Sequence, residues 1–213
     1  MDAQSRQILA SLLSEPERLS TNAYDRETHS HDESFCAPHV PEVVIWPKTT
    51  AEISRILAWA SAERVPVTAW GGGSSLEGNP IPLHGGIVLD LLQMSAVLEV
   101  LPSDMQVRVQ PGLTGDALNQ ALAPAGLFFP VLPSSANVAT LGGMLANNAG
   151  GIHAVKYGGI RDYVLQLEVV LASGEIIRTG SRSFKTAVGY DLGSLFIGSE
   201  GTLGTVSYTH LRA

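Results

Sequence analysis

The chain has 213 residues, of which 45% are hydrophobic and 15% are charged, and its formal net charge at pH 7 is −7. This length allows one large domain or two small ones with an apolar core. The acidic balance argues against a surface that follows nucleic-acid phosphates, because such a surface normally carries a basic patch. The one cysteine, Cys36, excludes an internal disulfide and a zinc site built from cysteines.

No apolar run approaches the roughly 20 residues that a membrane-spanning helix needs. The N-terminus lacks the apolar region of a signal peptide and the acid-poor composition of a transit peptide. We therefore expect a cytoplasmic protein without a transmembrane segment, in which any membrane attachment is made through a partner.

Residues 1–33 are predicted to form an N-terminal helix and an irregular lead-in. The helix, over residues 1–20, has one apolar face, formed by Ile8, Leu9, Leu12 and Leu13. The polar stretch after it contains four side chains that can bind metals: His29, His31, Asp32 and Glu33. Two histidines in a charged loop, without helical spacing, are more often solvated than metal-bound, so no metal is predicted.

Residues 34–91 are predicted to form a small parallel β–α–β lobe. Val43–Trp46 is a short strand, and Thr49-x-x-Glu52 has the spacing of a capping box that begins a helix through about Glu63. Two more apolar strands follow, at Val65–Trp70 and Gly86–Leu91. Parallel pairing is expected, because strands joined by a helix pair in this way.

The second strand of this unit runs directly into three glycines and two serines, Gly71–Ser75. Consecutive glycines permit positive φ and close approach of another group. Such a turn directs several main-chain N–H groups into one concavity, which suits a pyrophosphate. Ligands bind at the carboxyl ends of strands in open α/β sheets, and this loop lies at such an end. A plain flexible loop is the alternative interpretation.

Residues 95–206 are predicted to form a second, mostly antiparallel lobe with flanking helices. Its strands are Ala96–Val100, Gln106–Gln110, Tyr163–Leu171 and Glu175–Thr179. One helix is expected after Thr114 and a short one after Asp191, with a polar loop between at Ser181–Tyr190. Residues 207–213 are expected to be an atypical tail, because three of them suit a strand poorly: Ser207, Thr209 and His210. The alternation of Val206 and Tyr208 leaves a strand open as the alternative.

A second block rich in glycine, alanine and asparagine spans Ser134–Gly159 and carries no charge before Lys156. Its interleaved apolar residues distinguish it from a flexible linker and indicate a segment pressed against something flat. Asn147 and Asn148 supply directional donors and acceptors there. A tightly packed helix crossing is the alternative.

Three motifs occur in order, GGGSSLEG, SSANVATLGGMLANNAGG with KYGG, and GSEGTLG. Together they resemble the FAD-binding domain of the FAD-linked oxidases (the vanillyl-alcohol oxidase/PCMH superfamily), and are most similar to those of D-lactate dehydrogenases and of the D-type subunit of glycolate oxidase. The resemblance covers about residues 25–205. It implies an α+β fold of the PCMH type, with FAD between two lobes.

The resemblance also implies which residues hold FAD. The loop from Trp70 would wrap the pyrophosphate, the second block would follow the cofactor to the flavin, and the last motif would reach the ribose and adenine. The complete set is Trp70, Gly71, Gly72, Gly73, Ser74, Ser75, Pro133, Ser134, Thr140, Leu141, Gly142, Gly143, Asn147, Asn148, Ala149, Gly150, Glu200, Gly201, Gly204 and Val206.

Non-covalent FAD is expected. Some members of the superfamily attach FAD to a histidine in the glycine loop, and Gly73, Ser74 and Ser75 occupy those positions here. The nearest histidines, His84 and His153, do not match the motif, and His153 is expected to be structural. The position of Arg161 is left open between the cofactor side and an ion pair with Asp162 or Glu168.

The function implied is the FAD-binding portion of a D-2-hydroxy-acid dehydrogenase of the D-lactate or glycolate type. Its small substrate would be bound through a C-terminal cap domain, which is absent from this sequence and which normally supplies the metal ligands. No catalytic residue is therefore assigned. The alternatives are an aldonolactone oxidase, an enzyme of the alkyl-glycerone-phosphate synthase type, and a flavin-binding module without turnover. A nicotinamide-binding fold is disfavoured because Leu76 breaks the G-x-G-x-x-G spacing.

Overall fold

The computed structural model describes residues 1–183 and 185–213 and contains two β-sheets. The nine strands, in chain order, are β1 (Leu19–Ser20), β2 (Val43–Ile45), β3 (Val67–Trp70), β4 (Ile87–Asp90), β5 (Val97–Leu101), β6 (Gln106–Val109), β7 (Val164–Val170), β8 (Ile176–Gly180) and β9 (Thr205–Arg212). The first sheet has the order β1-β2-β4-β3, and the second has the order β5-β6-β9-β7-β8.

The pairing confirms the predicted α+β class. In the first sheet β2, β4 and β3 are parallel, and β1 adds an antiparallel edge. The second sheet is antiparallel at every strand pair. The α-helices are α1 (Ala3–Ser11), α2 (Ala23–Thr28), α3 (Thr50–Glu63), α4 (Gly115–Leu122), α5 (Leu141–Ala146), α6 (Ala154–Tyr157) and α7 (Gly193–Phe196).

Adjacent parallel strands β3 and β4 are joined without a helix. The connection runs from residue 71 to residue 86 and contains turns and bends only. Helix α3 instead joins β2 to β3, and β4 then takes the place between them. The glycine loop therefore begins the return path between two neighbouring strands.

Helix α3 begins where the sequence predicts, but only half of the capping box forms. The Thr49 hydroxyl oxygen accepts from the Glu52 N–H at 3.2 Å. The Glu52 carboxylate accepts from the Lys48 N–H at 2.7 Å and from the Arg18 guanidinium at 2.6 Å. Glu52 is 1% exposed, and its carboxylate pairs with the buried Arg18 guanidinium instead of completing the capping box at Thr49.

The N-terminal lead-in differs from the sequence prediction. Helix α1 ends at Ser11, and Leu9 and Leu13 are buried in the core of the first lobe, whereas Ile8 is partly exposed. The stretch predicted to be irregular contains α2, whose N-terminus is capped by Asn22 accepting from the Asp25 N–H. The lead-in thus packs as part of the first lobe.

The histidine-rich stretch is solvated only in part. His29 and Asp32 are buried, while His31 and Glu33 are exposed. The reason is local pairing, because the His29 ring contacts the carboxylate of Asp90. Across residues 1–183 and 185–213, no group of three or more histidine, cysteine or acidic side chains forms a metal site.

The last strand corrects the prediction of an atypical tail. Residues 205–212 form β9, which lies between β6 and β7 and pairs with both. Two of its polar side chains find hydrogen-bond partners in the interior, whereas neither ring nitrogen of the buried His210 has one among the described residues. The Ser207 hydroxyl donates to the Glu168 carboxylate at 2.9 Å, and the Thr209 hydroxyl donates to the Gln166 carbonyl at 3.4 Å.

Contacts between α3 and the β7–β8 hairpin connect the two lobes. The Ser54 hydroxyl donates to the Gly174 carbonyl at 2.6 Å, and the Thr50 hydroxyl donates to Glu168 at 2.9 Å. Val170 belongs to the apolar core of the first lobe although it lies on β7. The polar loop predicted at Ser181–Tyr190 includes Phe184, which lies outside the described residues. Within those residues no helix is long and apolar enough to cross a bilayer.

Candidate functional site

A cavity of about 320 Å³ opens between three chain segments that are distant in sequence. They are the glycine loop with its flanks (residues 69–80), the second small-residue block (residues 133–149) and the last motif (residues 196–206). All of the predicted cofactor residues line this cavity except Leu141, Asn148 and Gly150. The structure therefore brings together the three motifs that the sequence separates.

The backbone of the glycine loop, Gly71–Ser75, lies directly against the second block. A Cβ added at Gly72 would collide with the Val138 carbonyl oxygen, and one at Gly71 would collide with the Thr140 hydroxyl. Gly73 has φ of +65°, and a Cβ added there would collide with the Trp70 ring. Only glycine permits this combination of close approach and left-handed backbone.

The five amides of Gly71–Ser75 donate no hydrogen bond within the described parts of the chain. Their residues line the cavity, so these donors are available to a ligand. A left-handed residue such as Gly73 turns successive N–H groups towards one side, which creates an anion-binding concavity. The loop is therefore suited to a pyrophosphate.

Helix α5 forms a wall of the cavity but does not offer its own amides. The Leu141 N–H donates to the Leu113 carbonyl and the Gly142 N–H donates to the Pro111 carbonyl, both at 2.8 Å. The Gly143 N–H donates to the Thr140 hydroxyl at 3.3 Å. Because these donors are already used, the glycine loop and not the start of α5 supplies the free N–H groups.

The third segment is held against the end of α5. The Gly198 and Glu200 N–H groups donate to the carbonyls of Leu145 and Ala146, both at 2.9 Å. Arg161 secures the preceding helix, α7, by donating to the carbonyls of Ser194 and Ile197. Arg161 thus makes neither of the ion pairs that the sequence allowed, and it organises this wall instead.

Asn147 joins the second block to the glycine loop. Its amide nitrogen donates to Glu77 at 2.8 Å and to the Ser75 hydroxyl at 3.3 Å, and its amide oxygen accepts from Asn79 at 2.7 Å. The directional role predicted for an asparagine is therefore filled by Asn147. Asn148 instead occupies a turn with φ of +48°.

The remaining sequence candidates lie away from the cavity. Leu141 is fully buried in the core of the second lobe, because the apolar face of α5 packs inwards. Gly150 does not line the cavity. His153 is exposed, and its ring contacts Tyr157 edge to face at 6.3 Å.

Sequence reasoning missed several lining residues: Ala69, Leu76, Glu77, Asn79, Pro80, Leu91, Pro111, Ser135, Ala139, Met144, Ala146, Phe196 and Ser199. Most of these adjoin predicted residues, so extending each motif by a few positions finds them. Leu91 and Pro111 follow other strands, and only the packing of the two lobes brings them to the site.

Among the described residues, the lining contains no lysine, arginine or histidine, and its ionisable groups are the carboxyls of Glu77 and Glu200. An anionic ligand therefore has to be stabilised by N–H dipoles, which the free amides of the glycine loop provide. The residues present therefore fit a dinucleotide with a pyrophosphate, because the cavity joins a group of free N–H donors, suited to an anion, to a groove lined by small residues.

Replacing Glu77 with glutamine is expected to tighten FAD binding at low ionic strength. The gain should be only about two- to fivefold, because exposed charges interact weakly. The glutamine keeps an acceptor for Asn147 and removes a negative charge from the cavity wall. The gain should shrink as salt is added. Titration of FAD by fluorescence at two salt concentrations measures it, with the exposed Glu175→Gln as matched control. Equal affinities of the two variants would contradict this electrostatic account.

Comparisons with known proteins agree with the geometry. Residues 41–180 match the family described as FAD binding domain. Over 195 residues the chain is 44% identical to glycolate oxidase subunit GlcD of Bacillus subtilis (strain 168), covering 92% of this chain and 42% of that protein. Over 199 residues it is 42% identical to a probable mitochondrial D-lactate dehydrogenase of Danio rerio, covering 92% of this chain and 40% of that protein.

A solved structure of an alkyldihydroxyacetonephosphate synthase superposes with a TM-score of 0.88 at 24% identity, covering 100% of this chain and 40% of that one. At this identity the likeness shows the fold alone. The chain spans about two fifths of the length of these relatives. The family match over residues 41–180 and the donor-lined cleft lead to one conclusion: the chain belongs to the FAD-binding domain family of FAD-linked oxidoreductases, and FAD is its cofactor.

Proposed function

We propose that the chain is the FAD-binding portion of a D-2-hydroxy-acid dehydrogenase that acts on a substrate such as D-lactate or glycolate. One observation carries the choice of substrate class. Relatives that share 42–44% identity with the chain are named for D-lactate or glycolate oxidation. A third relative, D-lactate dehydrogenase of Archaeoglobus fulgidus, is 43% identical over 178 residues.

In the proposed reaction the substrate loses its α-hydrogen as a hydride and its hydroxyl proton to a base, which yields the 2-oxo acid. FAD supplies the hydride acceptor when it is bound, and the protein contributes orientation and electrostatics. In this chain the free amides of Gly71–Ser75 would bind the pyrophosphate. Asn147 and the third segment fix the walls on either side.

The described lining offers no histidine, lysine or tyrosine to act as the base. We therefore extend the proposal to a cap domain of the kind that the family resemblance implies, which would bind the small hydroxy acid and take the proton. A cytoplasmic location is part of the same proposal and is supported by the single cysteine of the chain.

The test is an anaerobic titration of the full FAD-loaded protein with D-lactate, glycolate and D-2-hydroxyglutarate. We expect at least one of them to bleach the visible flavin band, with L-lactate as the control that leaves it unchanged. Bleaching by an aldonolactone alone would support the aldonolactone oxidase type instead. A flavin band that persists with every hydroxy acid and lactone would favour a binding module without turnover.

A further inference from the structure

A short segment outside the matched family region runs along the back of the glycine loop. We call residues 29–36 the strap. The Glu33 N–H donates to the Ser75 carbonyl at 3.0 Å, and the Gly78 N–H donates to the Asp32 carboxylate at 2.8 Å. These two bonds hold the loop just after its free amides.

Asp32 is suited to this contact because it is almost fully buried, at 7% exposure. Its second carboxylate oxygen accepts from the Ser34 N–H at 3.0 Å, which stiffens the strap itself. Cys36 packs beside Gly78, whose φ is +79°. The carboxylate therefore links two backbone segments that share no secondary structure.

The start of the strap is anchored by His29, which is 6% exposed. Its Nδ1 donates to the Asp25 carbonyl at 2.6 Å, and its Nε2 lies 3.0 Å from the Asp90 carboxylate. Two acceptors favour a doubly protonated ring. Burial opposes this charge, but the bonds to Asp90 and Asp25 outweigh it and raise the pKa of His29.

His29 also supports the floor of the loop. Its ring lies 4.9 Å from the Trp70 ring, which in turn packs beneath Gly73. Asp90, at the carboxyl end of β4, additionally accepts from the Trp46 indole N–H at 2.7 Å. The strap is thus fixed at one end to the first sheet and along its length to the glycine loop.

We propose that Asp32 and His29 are positioning residues for FAD, which hold the glycine loop so that its amides stay directed into the cavity. Neither residue lines the cavity. A loop of glycines and serines loses much conformational entropy when it is ordered, and prior ordering by the strap removes this cost from binding. The inference rests on FAD binding and not on the substrate class, so it survives if the hydroxy-acid assignment fails.

The experiment compares Asp32→Ala with Glu33→Ala in the full protein. Both variants remove one carboxylate from the strap, but among the described residues the hydrogen bond from Glu33 to the loop comes from its backbone N–H, which alanine retains. Losing a charged hydrogen bond to the partly buried Gly78 N–H predicts that Asp32→Ala releases FAD about 10-fold faster. The association rate constant of Asp32→Ala should stay within about twofold of the wild type, since the free amides remain. For Glu33→Ala, both the association and the release rate constants should stay within about twofold of the wild type.

Asp32→Asn serves as the conservative variant, because its amide oxygen can still accept from Gly78. It should restore release to a rate between those of Asp32→Ala and the wild type. A fall in thermal stability without faster release from the folded protein would overturn the proposal, as would equal release from Asp32→Ala and Glu33→Ala. If Asp32→Ala does not fold, Asp32→Asn is compared with Glu33→Gln, and equal release rates of that pair overturn the proposal.

His29→Phe provides an independent arm, since phenylalanine keeps the ring against Trp70 and removes both N–H groups. It should also release FAD faster. The matched control is His84→Gln, which changes an exposed histidine that does not line the cavity. Release rates of His29→Phe that equal those of His84→Gln would contradict a positioning role for His29.

Discussion

Replacing Gly72 with alanine is expected to weaken FAD binding by about 10- to 100-fold, which corresponds to the 1–3 kcal/mol typical of overpacking. The added Cβ would collide with the carbonyl oxygen and carbon of Val138. Both atoms belong to backbone, so they cannot move aside as a flexible side chain can. The loop must then separate from the second block, and its free amides no longer face the pyrophosphate together.

Gly150→Ala is the matched control for this experiment. Its nearest contact would be an ordinary 3.9 Å from the Ala154 side chain, and Gly150 does not line the cavity. Fluorescence titration of FAD into both folded apoproteins, checked by circular dichroism, measures the difference. If Gly72→Ala binds FAD as tightly as Gly150→Ala, close contact between the two walls is not required for the site.

The second large effect is expected at the buried ion pair between α3 and the N-terminal segment. Arg18→Met should lower the free energy of unfolding by about 3–5 kcal/mol, because it leaves a buried carboxylate without its cation. Arg18 and Glu52 are 5% and 1% exposed, and their closest atoms are 2.6 Å apart. Urea unfolding followed by circular dichroism measures the loss.

Arg55→Met is the control for Arg18→Met. Arg55 also links α3 to the N-terminal segment, by donating to the Leu12 carbonyl at 2.9 Å, but it is exposed and forms no ion pair within the described residues. Its replacement should cost less than about 1 kcal/mol. Equal losses in the two variants would show that Glu52 does not depend on Arg18.

The same pair sets a pH dependence in the acid range. Burial alone would raise the pKa of Glu52, but hydrogen bonds from Arg18, Ser14 and Lys48 outweigh burial and lower it well below its ordinary 4.5. A lowered folded-state pKa contributes stability that is present above pH 4.5 and is lost as pH falls further. The acid loss should therefore be smaller in Arg18→Met than in the wild type.

The fold was predictable where local pattern and tertiary structure agree. The apolar face of α3, the strand leading into Gly71 and the hairpin of β7 and β8 all follow from residues close in sequence. The convergence of the three motifs also followed, but from the family resemblance rather than from periodicity. Close backbone contacts, such as that of Gly72 with Val138, explain physically why the motifs converge.

Other parts of the site depend on contacts that no local pattern reports. Pro111 reaches the cavity because its carbonyl accepts from Gly142, which lies 31 positions away in the sequence. The sequence favours a solvated His29, and Asp32 lies in the same polar stretch, yet partners distant in sequence bury both side chains. The strand at residues 205–212 was missed for a related reason, because two neighbouring strands stabilise a sequence with weak intrinsic strand preference.

The connection between β3 and β4 has one more consequence. Parallel neighbours need a crossover of about a dozen residues or more, and a helix usually provides it. Here residues 71–86 provide it, and they begin with Gly71–Ser75, which line the cavity. Shortening this segment would pull on the alignment of the edge strand β3 with β4, so the length of the connection that carries the glycine loop and the register of this strand pair depend on each other.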